Sequence, residues 1–237
     1  MQELFQGKEP PKVSYSIQLD RLWWYLSPLI ILMLFGNVLV ACTSSFSCAR
    51  FLPTISYVGC FRNHDRWFVL TLTLIACVLP IFYLSVHLRV KFTLSNKENL
   101  VMYFCTAASS VSLIIIGLVD ELNGIHLHPM EYVHIAFSLT FVVVNFVWAN
   151  IVLAAFERFV HEFDKKVWIK RANLLYKLLA IMTIITMLQW HFAYTIYSNF
   201  LVNENTEAIS EWILVILASL VPGTFANACS DLTLTLK

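Results

Sequence analysis

Charged side chains are absent from six long stretches: Leu22–Cys42, Trp67–Val86, Val101–Val119, Ile135–Phe156, Leu178–Tyr197 and Trp212–Cys229. They run to 21, 20, 19, 22, 20 and 18 residues. Roughly 20 residues carry a helix across a hydrocarbon core about 30 Å thick. Membrane strands need about 9–11 residues and alternate apolar with polar positions, whereas Leu29–Phe35 and Phe141–Val144 do not alternate at all. In continuous apolar runs of this length only a helix satisfies its own backbone hydrogen bonds. The pattern therefore predicts an all-α, polytopic membrane protein built as a six-transmembrane-helix bundle. Its spans are 22–42, 67–86, 101–119, 135–156, 178–197 and 212–229, within a membrane domain covering 22–230. Residues 1–21 form a short leading segment and 231–237 a short tail. Pro28, Pro80 and Pro222-Gly223 fall inside spans, where proline removes a helical hydrogen bond and predicts a kink.

Composition agrees with the pattern. Hydrophobic residues make up 59% of the chain and charged residues 13%, with a mean hydropathy of +0.71. A soluble domain carries about 25% charged residues, so too little polar side chain is present here to coat a water-facing surface. The formal net charge of +1 argues against nucleic acid as a partner. Thirteen of the sixteen Lys and Arg residues lie in 1–21, 87–100, 157–177 and 230–237, leaving Arg50, Arg62 and Arg66 on the other side. The positive-inside rule then predicts that both termini are cytosolic. The apolar run from Leu22 is too long for the core of a cleavable signal.

Six cysteines are spread thinly. Cys48 and Cys60 share the loop after the first span, with Cys42 at its base. In an oxidising lumen that pair is the candidate disulfide. No CxxC or Cys/His spacing suited to a metal appears, so neither a metal nor a cofactor is expected. Polar residues within the spans are chiefly Asn37, Asn145, Asn150, Gln189, His191 and Asn227. They read as hydrogen-bonding partners between helices. No span carries a charge near its centre, which disfavours an ion-coupled pump or a voltage sensor.

Ionisable groups gather instead at the outer boundary: His64 and Arg66 before the second span, His126, His128 and His134 before the fourth, His191 in the fifth, and Glu211 opening the sixth. Histidine beside a carboxylate suits general base chemistry. No GxSxG elbow, HExxH or P-loop accompanies these groups, however, so no standard catalytic signature marks the chain as an enzyme. Glu211 is expected to cap the last span.

Short motifs on this outer face resemble a known family. Leu52-Pro53-Thr54-Ile55-Ser56 resembles the Leu-Pro-x-Ile-Ser signature of the DRAM/Sfk/Frag family of six-span membrane proteins. Ile209-Ser210-Glu211-Trp212 resembles that family's Glu-aromatic step at the last span, and Asn123-Gly124-Ile125-His126 and Arg66-Trp67 are similar to its GPI-anchor lipid-remodelling branch. Tyr57-Val58-Gly59 and Phe225-Ala226 depart from the family pattern. The branch stays open among GPI-lipid remodelling, regulation of phosphoinositides or lipid asymmetry, and autophagy.

The resemblance implies an accessory factor in lipid or GPI-anchor remodelling, with membrane lipids as partners. Its place would be the endoplasmic reticulum, Golgi or plasma membrane, the lysosome or another organelle being the alternative. Pro53, Ile55 and Ser56 join the histidines, Arg66 and Glu211 as candidate site residues, with Glu211 expected to meet the Pro53–Ser56 loop. The compact loops and missing catalytic signature support a second reading: a non-enzymatic scaffold or supernumerary subunit packed against other membrane subunits.

Overall fold

A computed structural model describes residues 15–44, 48, 53–59, 64–119, 129–158, 166–195, 204–228 and 233–236. Each apolar block lies within or largely overlaps one helix: α1 (Leu19–Ser44), α3 (Asp65–Val90), α4 (Asn96–Leu118), α5 (Pro129–Arg158), α6 (Lys166–Thr195) and α7 (Glu204–Ala228). A five-residue helix, α2 (Ile55–Gly59), sits between α1 and α3. The six long helices are long and apolar enough to cross a membrane, as a multi-pass membrane protein requires. Pro28, Pro80 and Pro222 lie inside helices that continue through them.

Helix ends follow local chemistry. At the start of α4, the Ser95 hydroxyl accepts from the Glu98 N–H while the Glu98 carboxylate accepts from the Ser95 N–H, a reciprocal capping box that satisfies two donors. Glu98 also pairs with Arg158 at the end of α5, at 3.0 Å. In α6 the apolar stretch runs Val167–Gln189 among the described residues, overlapping the expected 178–197. Lys170, Arg171 and Lys177 can stand in such a stretch because their aliphatic stems lie along apolar surface while the charges reach toward water. Of the apolar 18-residue core within it only 11% is buried, against 28–44% in the other five helices. Thus α6 is the stave of the bundle with least of its surface covered by protein.

The helices are arranged around a common interior, with α1 against α3 and α7, α4 between α3 and α5, and α6 against α7. The core is rich in aromatic rings. Tyr83 stacks on Trp148 at 4.2 Å, Trp148 meets Phe225 edge-on at 5.4 Å, and Trp23 meets Phe82 edge-on at 4.5 Å. A Cβ on Gly223 would fall 2.6 Å from Trp23 Cδ1. The missing side chain is what lets α1 and α7 approach there, and the Trp23 indole donates to the Ser219 carbonyl at 2.7 Å.

The all-α class stands, and two details change. A two-stranded antiparallel ribbon that the sequence did not signal joins β1 (Tyr15–Gln18) to β2 (Thr233–Leu236), with Tyr15 paired to Leu236 and Gln18 to Thr233. The alternation Thr233-Leu234-Thr235-Leu236 has a strand's period of two and β-branched residues at every other place. The ribbon brings both ends of the described chain to one face, called the terminal face here; α2 lies at the opposite, distal face. The second change concerns the disulfide. Cys48 pairs with Cys42, not with Cys60. Their Cα atoms lie 5.3 Å apart, inside the range a disulfide bridges; Cys60 is outside the described residues.

Candidate functional site

The distal face is organised by a single carboxylate. Because α7 begins at Glu204, Glu211 stands two turns inside that helix and does not cap it. Its carboxylate reaches across to the N-terminus of α2 instead. The Ile55 N–H donates to Oε2 at 2.6 Å, the Ser56 N–H to Oε1 at 3.2 Å, and the Ser56 hydroxyl to Oε1 at 2.6 Å. The first amides of any helix lack partners within it, and that end of the helix favours negative charge. Glu211 meets both needs. The expected meeting of Glu211 with the Pro53–Ser56 loop is therefore present in the geometry.

The segment carrying these donors is anchored from below. Pro53 is buried, Ile55 and Val58 are 4% and 0% exposed, and the Val58 N–H closes the turn onto the Thr54 carbonyl at 3.2 Å. A Cβ on Gly59 would lie 2.7 Å from the Phe68 ring, so α2 rests close against the start of α3.

The histidines divide. His64, 3% exposed, donates from Nδ1 to Asn37 Oδ1 at 3.0 Å, while Asn37 Nδ2 donates back to the His64 carbonyl at 3.2 Å. This exchange sets the protonated nitrogen of His64 and ties the entry of α3 to α1. His134, 6% exposed, uses Nδ1 to donate to the Val119 carbonyl at 2.9 Å, tying α5 to the end of α4. Arg66 is exposed at the first turn of α3. His126 and His128 lie outside the described residues, as does the side chain of His191, whose backbone belongs to α6. Among the described residues no group of three His, Cys, Asp or Glu side chains is placed to hold a metal ion.

Sequence reasoning had no means of seeing what lies beneath Glu211. A cavity of about 260 Å³ occupies the middle of the bundle, with walls from all six long helices. Its α7 wall runs from Glu211 to Pro222 and its α5 wall from Ser138 to Ala149, each about 16 Å at the helical rise. Glu211 marks the distal end, while Trp23, Tyr83 and Trp148 mark the end toward the terminal face. The wall is almost wholly apolar, and among the described residues it contains no Lys, Arg or His.

Polar groups along the cavity bind one another. The Tyr83 hydroxyl donates to Asn145 Oδ1, joining α3 to α5, and Asn145 Nδ2 donates to the Phe141 carbonyl at 2.5 Å. Asn150 Nδ2 donates to the Tyr176 hydroxyl, whose ring meets Phe146 edge-on at 5.4 Å, so α5 and α6 join around Tyr176. Wall residues from α1, such as Ile30 and Leu34, are buried; Phe141, Phe146 and Leu179, from α5 and α6, are half-buried. Glu211, Leu214 and Val215 of α7 are half-buried too, and the wall is loosest where α6, packed mainly on α7, meets α5 only lightly. A chamber of this kind accepts hydrocarbon and offers no counter-charge to an anion. Comparison with family models, curated proteins and solved structures finds no match for the chain.

Proposed function

We propose that the chain is a lipid-handling integral membrane protein of DRAM/Sfk/Frag type. It acts as an accessory factor in lipid or GPI-anchor remodelling, in the endoplasmic reticulum, Golgi or plasma membrane, with both termini cytosolic. The observation that carries this reading is the apolar cavity framed by six helices, with α6 only lightly packed on α5. A membrane protein that only scaffolds its neighbours packs its interior, because an empty apolar void forfeits dispersion contacts and costs stability. Such a cavity receives a chain from the bilayer, across its loosest wall, without drawing it through water.

The Glu211 clamp supports the same reading. It holds the Pro53–Ser56 segment, where the family resemblance lies, against the distal end of the cavity. With both carboxylate oxygens engaged by donors, Glu211 holds the shape of the distal end.

The test is mass spectrometry of the lipid moiety on GPI-anchored proteins from cells lacking this chain. An altered anchor acyl composition, restored by the wild-type gene, is the expected result. Unchanged anchors would remove the remodelling role. If they are unchanged and a stoichiometric membrane protein co-purifies in mild detergent, the scaffold reading replaces it.

A further inference from the structure

The dimensions of the cavity decide what fits in it. Its volume is about 260 Å³, and its α5 and α7 walls each run about 16 Å. Averaged over that length, the bore is about 16 Å² in cross-section. Carbon atoms in contact sit about 3.5–4.0 Å apart, so this bore holds one file of carbons and not two abreast. Volume sets a second limit. An apolar cavity of about 150 Å³ takes benzene, with its six carbons. By that measure the present one has room for about ten carbons.

One end is closed by rings that brace one another. Trp23 and Trp148, both 2% exposed, line that end together with Tyr83. The Trp23 indole is held by the Ser219 carbonyl and meets Phe82 edge-on at 4.5 Å. Trp148 stacks on Tyr83 at 4.2 Å, with Phe225 edge-on at 5.4 Å. In a close-packed interior no ring of this set moves without displacing the next. Together they form a floor. The wall above it is less enclosed: Phe141, Phe146, Leu179 and Leu214 are half-buried, and α6 packs only lightly on α5.

We infer that the cavity takes the straight tail of one acyl or alkyl chain, methyl end against the Trp23–Tyr83–Trp148 floor, and refuses sterols and methyl-branched isoprenoid chains. The inference rests on the cavity being a lipid site and adds which lipids it admits. A sterol nucleus is a rigid plate of four fused rings, too wide for a single file and too large for ten carbons' space. An isoprenoid chain carries a methyl on every fourth carbon and widens at each one. A straight chain meets both limits, and about its last ten carbons enter. The rest of the lipid stays outside with its headgroup, since the described lining residues include no Lys, Arg or His to meet a phosphate. Trp23, Tyr83 and Trp148 set the depth to which the tail is taken.

Photo-crosslinking in nanodiscs holding the full chain tests this. Two phosphatidylcholines carry a diazirine on a straight sixteen-carbon chain, one at the methyl end and one beside the carbonyl. The third probe is a sterol with a diazirine on its rings. Cross-linked residues are mapped by mass spectrometry. The methyl-end probe should label the floor residues, and the carbonyl-end probe should not. The sterol should label only exposed positions such as Ile181 and Ile184. Excess unlabelled straight-chain lipid should remove the floor label, and the same excess of phytanyl lipid should leave it. Ala218 lines the cavity, and Ala218→Phe puts a ring of six carbons into a space for about ten. In that variant the floor label should fall by more than half while the label on Ile181 and Ile184 stays; should the variant fail to insert, the wild-type arms decide. Floor labelling by the sterol, or equal competition by the phytanyl lipid, would overturn the straight-chain class and leave the lipid site standing. Equal floor labelling by the two phosphatidylcholines would overturn the methyl-end-first placement, and an undiminished floor label in an inserted Ala218→Phe chain would overturn entry through this bore. If no probe labels the floor, the lipid reading of the cavity itself falls.

Discussion

Replacing Glu211 by Gln changes one oxygen to an amide nitrogen and removes the charge, with almost no change of volume. In the structure Oε1 receives two donors from Ser56 and Oε2 receives the Ile55 N–H at 2.6 Å. A glutamine oriented to keep the Ser56 pair on its oxygen turns its NH₂ toward the Ile55 N–H, setting donor against donor. One charge-assisted bond is lost and the remaining two become neutral. Hydrogen bonds to charged groups contribute about 1.5–3 kcal/mol each and neutral ones about 0.5–1.5. A local loss of about 3 kcal/mol or more is therefore expected, at least about a 100-fold rise in the opening of α2. Amide hydrogen exchange over residues 53–59 reads that opening directly, because short segments open independently of the whole fold. Protection in α3 and α5 should not change, since Ile55 and Val58 keep the segment's position and no long helix loses a bond. Unchanged exchange in 53–59 of the Glu211→Gln protein would refute the clamp.

Gly223→Ala should lower the unfolding midpoint in detergent, by the about 1–3 kcal/mol that overpacking costs, because the new Cβ meets Trp23 at 2.6 Å; an unshifted midpoint would deny the close approach of α1 and α7. Peptide mapping without reductant should recover Cys42 linked to Cys48, and a Cys48–Cys60 peptide would contradict the fold of that loop. Tags on the two ends should be cleaved together by protease added to sealed vesicles with the cytosolic face outward; protection of both would invert the orientation, and protection of one would break the β1–β2 pairing.

The spans were legible because a membrane imposes a length and an apolar content that no soluble helix must meet, and six blocks meet both. Their ends were less so. Glu211 reads from the sequence as a cap for the last span, since it directly precedes the apolar block. The helix in fact begins at Glu204, with polar residues propagating it past the hydrocarbon boundary, and this turns Glu211 sideways toward α2. The link between Glu211 and the Pro53–Ser56 segment was foreseeable from topology, as an odd-numbered loop and the start of an even-numbered span share a side. Asn145 was readable as a bond between helices, but its partner Tyr83 was not, because tyrosine in an apolar run looks like any other large side chain. His64 and His134 stood out as possible chemistry and are pins between helices. The cavity left no sequence signal: its walls are Leu, Ile, Val and Trp at spacings indistinguishable from those of a filled core.

The Trp23–Ser219 bond spans 196 positions of sequence and has a consequence for biosynthesis. Among the described helices, α1, made before the others, finds its main neighbour in α7, made after them. Until α7 has been synthesised, the aromatic face of α1 that carries Trp23 has no seat, Ile55 and Ser56 have no carboxylate to hold them, and the cavity lacks a wall. Contacts so distant in sequence form late. Every truncated or stalled product therefore presents the same unfinished seam to the machinery that inspects membrane proteins. Synthesis of α7 and completion of the chamber are one event.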